Sequence, residues 1–169
     1  MSDTITNRVA KSPIITLDLA DYYANGKRHE LDISQWLFDG IILKEKDFRA
    51  SLKSADWSLY ENSFVALCCS TDAIVPAWAY MLISTYLNPI AKKVVVGSLK
   101  ELELILFEEA INELEVSEYA NKPIIVKGCS DLHIPETAYI SLINKLQPIV
   151  KSLMFGEACS AVPLFKPKK

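Results

Sequence analysis

Residues 76–97, PAWAYMLISTYLNPIAKKVVVG, and residues 135–156, PETAYISLINKLQPIVKSLMFG, are the two stretches whose reading decides the fold. They are displaced by 59 positions (135 − 76 = 59; 156 − 97 = 59) and share eight identities over 22 positions. The pairs are Pro76/Pro135, Ala79/Ala138, Tyr80/Tyr139, Leu87/Leu146, Pro89/Pro148, Ile90/Ile149, Lys92/Lys151 and Gly97/Gly156. Chance at average residue frequencies supplies roughly one or two, so the stretches are copies of one folding unit. In each, a proline suits the first turn of a helix, and a second proline discourages its continuation. A short apolar run closed by glycine then reads as a strand.

Upstream of each copy lies another apolar run of strand length, Phe64 to Cys68 and Pro123 to Val126. Continuous runs of this kind are what a parallel sheet buried on both faces requires. The prediction is therefore an α/β fold, a mostly parallel sheet with helices, containing a βαβ pseudo-repeat over about 64–97 and 124–156. A one-residue gap in the intervening loops pairs Cys69-Ser70 with Cys129-Ser130. Between the copies, Ser98-Leu99-Lys100-Glu101 has the spacing of a capping box and opens a helix with Leu102, Ile105, Leu106 and Leu114 at core spacing.

Working outward, residues 1–60 read as an irregular α+β lead-in. Ile14 to Leu17 and Glu30 to Ile33 are short β-like runs, and Lys44 to Lys53 is helical with Phe48 and Leu52 on one face. Trp36 to Leu43 is an apolar block broken by Asp39-Gly40, expected to cover one side of the later core or to form a partner or homodimer surface. At 169 residues the chain has the length of one domain, 1–169, with the lead-in packing on a duplicated core over 61–169.

Composition narrows the functional classes. Half of the residues are hydrophobic and 23% are charged, as in an ordinary globular protein. A net charge of −3 offers no electrostatic footprint for a phosphate backbone, so nucleic acid is not an expected partner. Neither an apolar leader core nor an 18-residue apolar span occurs, and a cytoplasmic location with no membrane partner is the expectation. The motifs G-x-G-x-x-G, G-x-x-x-x-G-K-[ST] and G-x-S-x-G are all missing from the sequence.

In a reducing compartment four cysteines are buried thiols, metal ligands or reactive thiolates before they are disulfides. Cys68 lies inside a strand and reads as a small buried hydrophobe. Cys69 and Cys129 follow strands on the carboxyl edge of the sheet, where open α/β folds bind ligands. Cys159 follows the turn after Leu153 to Phe155 and would reach the same edge if that strand is parallel. A converging trio would hold zinc, iron or an iron-sulfur cluster, with Asp131, His133, Asp72 or Glu157 as fourth ligand or supporting group. Alternatively Cys129 or Cys69, its pKa lowered by a helix N-terminus, would act as a nucleophile. The bland reading is that the thiols simply pack.

The stretches DISQWLFDGIILKEKDFR (32–49), CSTDAIVPAWAYM (69–81), KGCSD (127–131) and FGEACSAVP (155–163) together resemble an uncharacterised bacterial family called domain of unknown function 2480. The resemblance covers nearly the whole chain and brings no catalytic assignment. It implies an association with iron-sulfur cluster assembly proteins, and it carries over Cys69, Asp72, Cys129, Asp131, Glu157 and Cys159, which fall inside those motifs. Three readings follow: an accessory protein of iron-sulfur or metal metabolism, a cysteine-dependent sulfur-transfer or thiol enzyme, and a non-catalytic interaction module.

Overall fold

A computed structural model describes residues 14–127, 132–157 and 160–167. Their strands are β1 (Ile15–Leu17), β2 (Arg28–Asp32), β3 (Phe64–Cys68), β4 (Lys93–Val96), β5 (Pro123–Val126), β6 (Ser152–Phe155) and β7 (Val162–Phe165). The helices are α1 (Glu45–Ser54), α2 (Ala77–Leu87), α3 (Leu99–Glu113) and α4 (Glu136–Leu146). The fold is α/β and mostly parallel, as expected, but the strands build two sheets where the sequence suggested one. One sheet has the order β2-β3-β4 and the other β1-β5-β6-β7, with only the β6/β7 pair antiparallel.

The chain divides into two compact units accordingly. A continuous unit spans Asn25–Ile105, and a split unit takes the residues up to Ala24 and those from Leu106 onward. Two sheets form because each repeat copy recruits its own strand from the N-terminal 60 residues. β2 pairs with β3 from Arg28↔Phe64 to Asp32↔Cys68, while β1 pairs with β5 from Ile15↔Ile124 to Leu17↔Val126. The lead-in is thus part of both sheets.

The repeat extends well beyond the stretches that reveal it. β3 and β5, and β4 and β6, begin at a constant offset of 59 (123 − 64, 152 − 93), and α2 and α4, and α1 and α3, end at the same offset (146 − 87, 113 − 54). Asn62 and Asn121 both take positive φ, 55° and 58°, and their N–H groups bond Ile90 O at 2.9 Å and Ile149 O at 2.8 Å. Asparagine tolerates this left-handed turn better than most residues.

The cores match position by position. In the continuous unit Phe48, Leu52, Val65, Leu67, Ala79, Ile83 and Leu87 are buried. In the split unit Phe107, Ile111, Ile124, Val126, Ala138, Leu142 and Leu146 occupy the same places. Leu31 and Ile33 of β2 and its following turn answer to Leu17 and Leu19 at an offset of 14. Apolar side chains in these positions are removed from water on one face of each sheet, which is the main force holding each unit together.

The capping box forms as its spacing predicts: Glu101 Oε2 accepts from Ser98 N–H at 2.6 Å and Ser98 Oγ accepts from Glu101 N–H at 3.4 Å. Gly97, at φ 137°, is required there, because a Cβ would lie 2.5 Å from Glu101 Oε2 and the conformation disfavours any side chain. The apolar block after β2 splits in two. Leu37 is buried, whereas Phe38, Ile41 and Ile42 turn outward on a tight loop in which Asp39 and Gly40 take positive φ.

Because Phe48 and Phe107 are both fully enclosed, Phe48→Ala and Phe107→Ala are each expected to cost about 3–5 kcal/mol. Urea denaturation followed by circular dichroism measures this, and a loss below about 1 kcal/mol in either variant would contradict the equivalence of the two cores.

Candidate functional site

Parallel strands place all their carboxyl ends on one edge, so the loops leaving β2, β3 and β4 define the edge to inspect first. Alternation along β2 buries Leu31 and puts Glu30 and Asp32 on the other face. Asp32 closes the strand and caps the single 3₁₀ turn Ile33–Trp36. Its carboxylate accepts from Ser34 N–H at 2.9 Å, Ser34 Oγ–H at 2.7 Å, Ser70 N–H at 3.1 Å and Ser70 Oγ–H at 2.5 Å. Burial pushes its pKa up, but the four hydrogen bonds from Ser70 and Ser34 outweigh it and hold the group at about 2. One carboxylate therefore fastens the end of β2 to the loop leaving β3.

A second fastener lies beside it. Thr71 Oγ–H donates to Gly40 O at 2.5 Å, joining the same loop to the Phe38–Ile42 turn. That turn is closed by Phe38 N–H to Ile42 O at 2.8 Å and Ile42 N–H to Phe38 O at 3.0 Å.

Cys69 sits half-buried at the end of β3, with its Sγ 3.6 Å from Thr71 O and 3.5 Å from Thr71 Oγ1. α2 does not begin until Ala77, so Cys69 is outside the first turn on which a helix dipole acts. Cys68, paired with Asp32 across the strands, has its thiol pushed up to about 11 by burial and then by the carboxylates of Glu30 and Asp32. It is protonated at neutral pH and half-buried, less enclosed than its place inside the strand suggests.

In the split unit Asp18 holds the position of Asp32. It caps the 3₁₀ turn Leu19–Tyr22, accepts from Ala20 N–H at 2.9 Å and pairs with Lys127 Nζ at 2.8 Å. Burial raises its pKa, yet the Lys127 ammonium and the Ala20 N–H bring it below the usual range. Lys127 is raised in turn, first by its bond to Asp18 and also by the charge of Glu157. Sequence reasoning passed over both aspartates. The signal was Leu17-Asp18-Leu19 against Leu31-Asp32-Ile33, the same apolar-acid-apolar triplet ending two short strands.

Of the predicted site residues, Cys69 lies at the strand edge just described, Asp72 and His133 are exposed in their loops, and Glu157 is exposed within the electrostatic reach of Lys127. Cys129, Asp131 and Cys159 lie outside the described residues. Among the described residues no group of three or more His, Cys, Asp or Glu side chains is gathered to hold a metal ion.

The gap that pairs Cys69 with Cys129 is unnecessary. From Cys68 to Pro76 and from Lys127 to Pro135 the chain advances by the same number of residues, and the elements on both sides keep the 59-residue offset. Aligned without a gap, Cys69 stands opposite Gly128 and Ser70 opposite Cys129, while Asp72 and Asp131 coincide.

The sequence model of a family described as "Protein of unknown function (DUF2480)" matches residues 3–167, and the chain belongs to that family. No curated protein and no solved structure matches it. No helix among the described residues is long and apolar enough to cross a membrane.

The Asp32 fastener makes a prediction in acid. Its folded pKa lies below the ordinary aspartate value of 3.8, so its contribution to stability is complete above that value and is lost as pH falls through about 2. Asp32→Asn is expected to lower the urea midpoint at neutral pH and to flatten the decline between about pH 4 and 2. Parallel pH profiles for variant and parent would show that the carboxylate is not fastened.

Proposed function

We propose that this member of a family of unknown function is a non-catalytic interaction module, docking through the loops at the carboxyl edge of the continuous unit. The observation carrying this reading is that Asp32 is saturated by donors of its own chain. A carboxylate held at about 2 with four hydrogen bonds is a poor proton acceptor for a substrate. What it does hold in place is an apolar rim: Phe38 is 48% exposed, Ile41 55%, Ile42 48% and Ile74 95%. Ile74 belongs to the loop leaving β3, and Thr71 of that loop is bonded to Gly40 in the midst of the other three. Clustered large apolar side chains on fixed loops are the mark of a protein-binding surface.

A second copy of the chain is the partner this rim suits. Acids and bases alternate beside it, Asp39, Lys44, Glu45, Lys46 and Asp47, and a two-fold interface, which uses the same patch on both copies, lets the acids of one copy meet the bases of the other. Sedimentation over a wide concentration range is expected to show reversible dimers, lost in Phe38→Asp/Ile41→Asp. Monomers at every concentration would remove the self-association reading.

The position of half-buried Cys69 at a strand end supports a second reading, the accessory role in iron-sulfur or metal metabolism. In it Cys69, Cys129 and Cys159 handle zinc, iron or an iron-sulfur cluster, aided by Asp131, His133, Asp72 or Glu157, in the reducing cytoplasm and beside iron-sulfur assembly proteins. A sulfur-transfer enzyme with Cys129 or Cys69 as nucleophile draws on the same thiols. Metal analysis of protein purified without air is expected to show metal that is lost in single Cys→Ser variants at 69, 129 and 159 and kept in Cys68→Ser. Content unchanged in all three variants removes the metal reading.

A further inference from the structure

The duplication brings out a feature that neither reading uses. In the continuous unit a cleft of about 390 Å³ opens between the 3₁₀ turn after β2 and the end of α1. In the split unit a cleft of about 410 Å³ opens at the corresponding place. Gln35 and Trp36 of the first answer to Asp21 and Tyr22 of the second at the offset of 14, and Ala55 and Asp56 answer to Leu114 and Glu115 at the offset of 59. A hollow in the same place in both copies belongs to the architecture of the unit and is not a local packing accident.

The walls of the first cleft are aromatic. Trp36 and Trp57 have ring centroids 5.9 Å apart at 49°, and Trp57 and Tyr60 have theirs 6.1 Å apart at 47°. These rings are held from behind. Trp57 Nε1–H donates to Leu52 O at 3.0 Å, its ring stacks on Tyr86 at 5.1 Å, and Trp36 packs edge-on against Phe48 at 6.0 Å. A rigid corner of three tilted rings loses little freedom when a ligand enters.

The polar lining has one sign. Asp56 is the charged residue of the first cleft, alongside Gln35, Ser51 and Ser54, and Asp21, Glu113 and Glu115 are those of the second. Among the described residues neither lining contains Lys, Arg or His. The faces of Trp and Tyr rings carry negative potential, and a carboxylate at the rim reinforces it. An anion would meet no opposite charge among these lining residues, whereas a weakly hydrated cation meets both attractions at once.

We infer that the cleft walled by Trp36, Trp57 and Tyr60, with Asp56 at its rim, is a binding site for an organic ammonium group of the trimethylammonium type. The second cleft, with Tyr22 and Tyr23 and more carboxylates, is its acidic counterpart in the split unit. This site is separate from the docking rim, since no residue of Phe38–Ile42 lines it.

All three tryptophans, Trp36, Trp57 and Trp78, lie in the continuous unit, so intrinsic fluorescence reports on the first cleft. The full chain is titrated with choline and, in parallel, with 3,3-dimethylbutan-1-ol, the same shape without the charge. Choline is expected to give a saturable change, and the alcohol to bind at least about tenfold more weakly. Asp56→Asn keeps an acceptor for Ser58 N–H, now 2.9 Å from Asp56 Oδ1, while removing the charge; it is expected to weaken choline several-fold, less so at high salt. Trp36→Leu is expected to weaken it about tenfold, with an unchanged circular dichroism spectrum showing that the variant is folded. No saturable response, or equal binding of choline and its neutral isostere, overturns the inference.

Discussion

Each sheet depends on a pairing between strands remote in sequence, β2 with β3 and β1 with β5, and in each the pairing is completed at its carboxyl end by an aspartate. A parallel pair cannot be closed by a tight hairpin, so something other than a turn must fix its register. Side-chain alternation does part of this, since a slip of one residue would turn Leu31 or Leu17 away from the core. Asp32 and Asp18 do the rest by joining the strand end to the chain leaving its neighbour, through Ser70 in one unit and Lys127 in the other. The 3₁₀ turns, the loop before α2 and the apolar rim take their places from that junction.

The contrast between the two junctions shows how much chemistry the same backbone tolerates. Lys127 occupies the position that Cys68 holds in the continuous unit, 59 residues earlier. Where lysine is present the aspartate is met by a charge. Where cysteine is present, a protonated thiol pushed to about 11 leaves the aspartate to the serines. Both solutions satisfy a partly buried carboxylate, as the cost of leaving it bare requires. Each aspartate joins the 3₁₀ turn after its own strand to the chain leaving the neighbouring strand.

Much of the fold was legible because it is written in local periodicity. Proline-opened helices, glycine-closed strands and the Ser98–Glu101 capping box are short-range signals, and all of them are realised. The second sheet was not legible. β1 has three residues and β2 alternates Arg28, His29 and Glu30 before its first fully buried side chain, and their partners begin 109 and 36 residues away (124 − 15 and 64 − 28). No periodicity encodes such a pairing. Two Cys-Ser dipeptides drew the alignment of the loops out of register by one, whereas the starts of β3 and β5 and of β4 and β6, and the ends of the helices, hold it at 59. The aspartates, the residues that organise the edge, stood in plain view as the last polar letters of two unremarkable strands.

Comparing the copies separates what packing demands from what a site is free to choose. Buried positions keep their size and apolarity, Phe48 as Phe107 and Ala79 as Ala138, because an interior near crystalline density punishes both cavities and excess volume. The copies part company in sequence elsewhere: Trp57 against Val116 and Ser54 against Glu113 beside the cleft, and Cys69 against Gly128 and Ser70 against Cys129 between strand and helix. No packing rule requires those differences, and each alters which ligand or partner its surface would accept. The cleft follows the same logic on a smaller scale, since the walls that shape it belong to the core while the groups lining its mouth do not. Trp57 is held by Leu52 and Tyr86 whatever enters, and Asp56 can change its charge without disturbing that hold. A duplicated unit with a uniformly apolar interior and divergent lips is a scaffold on which two specificities can be set independently, and its chemistry is to be sought at those lips.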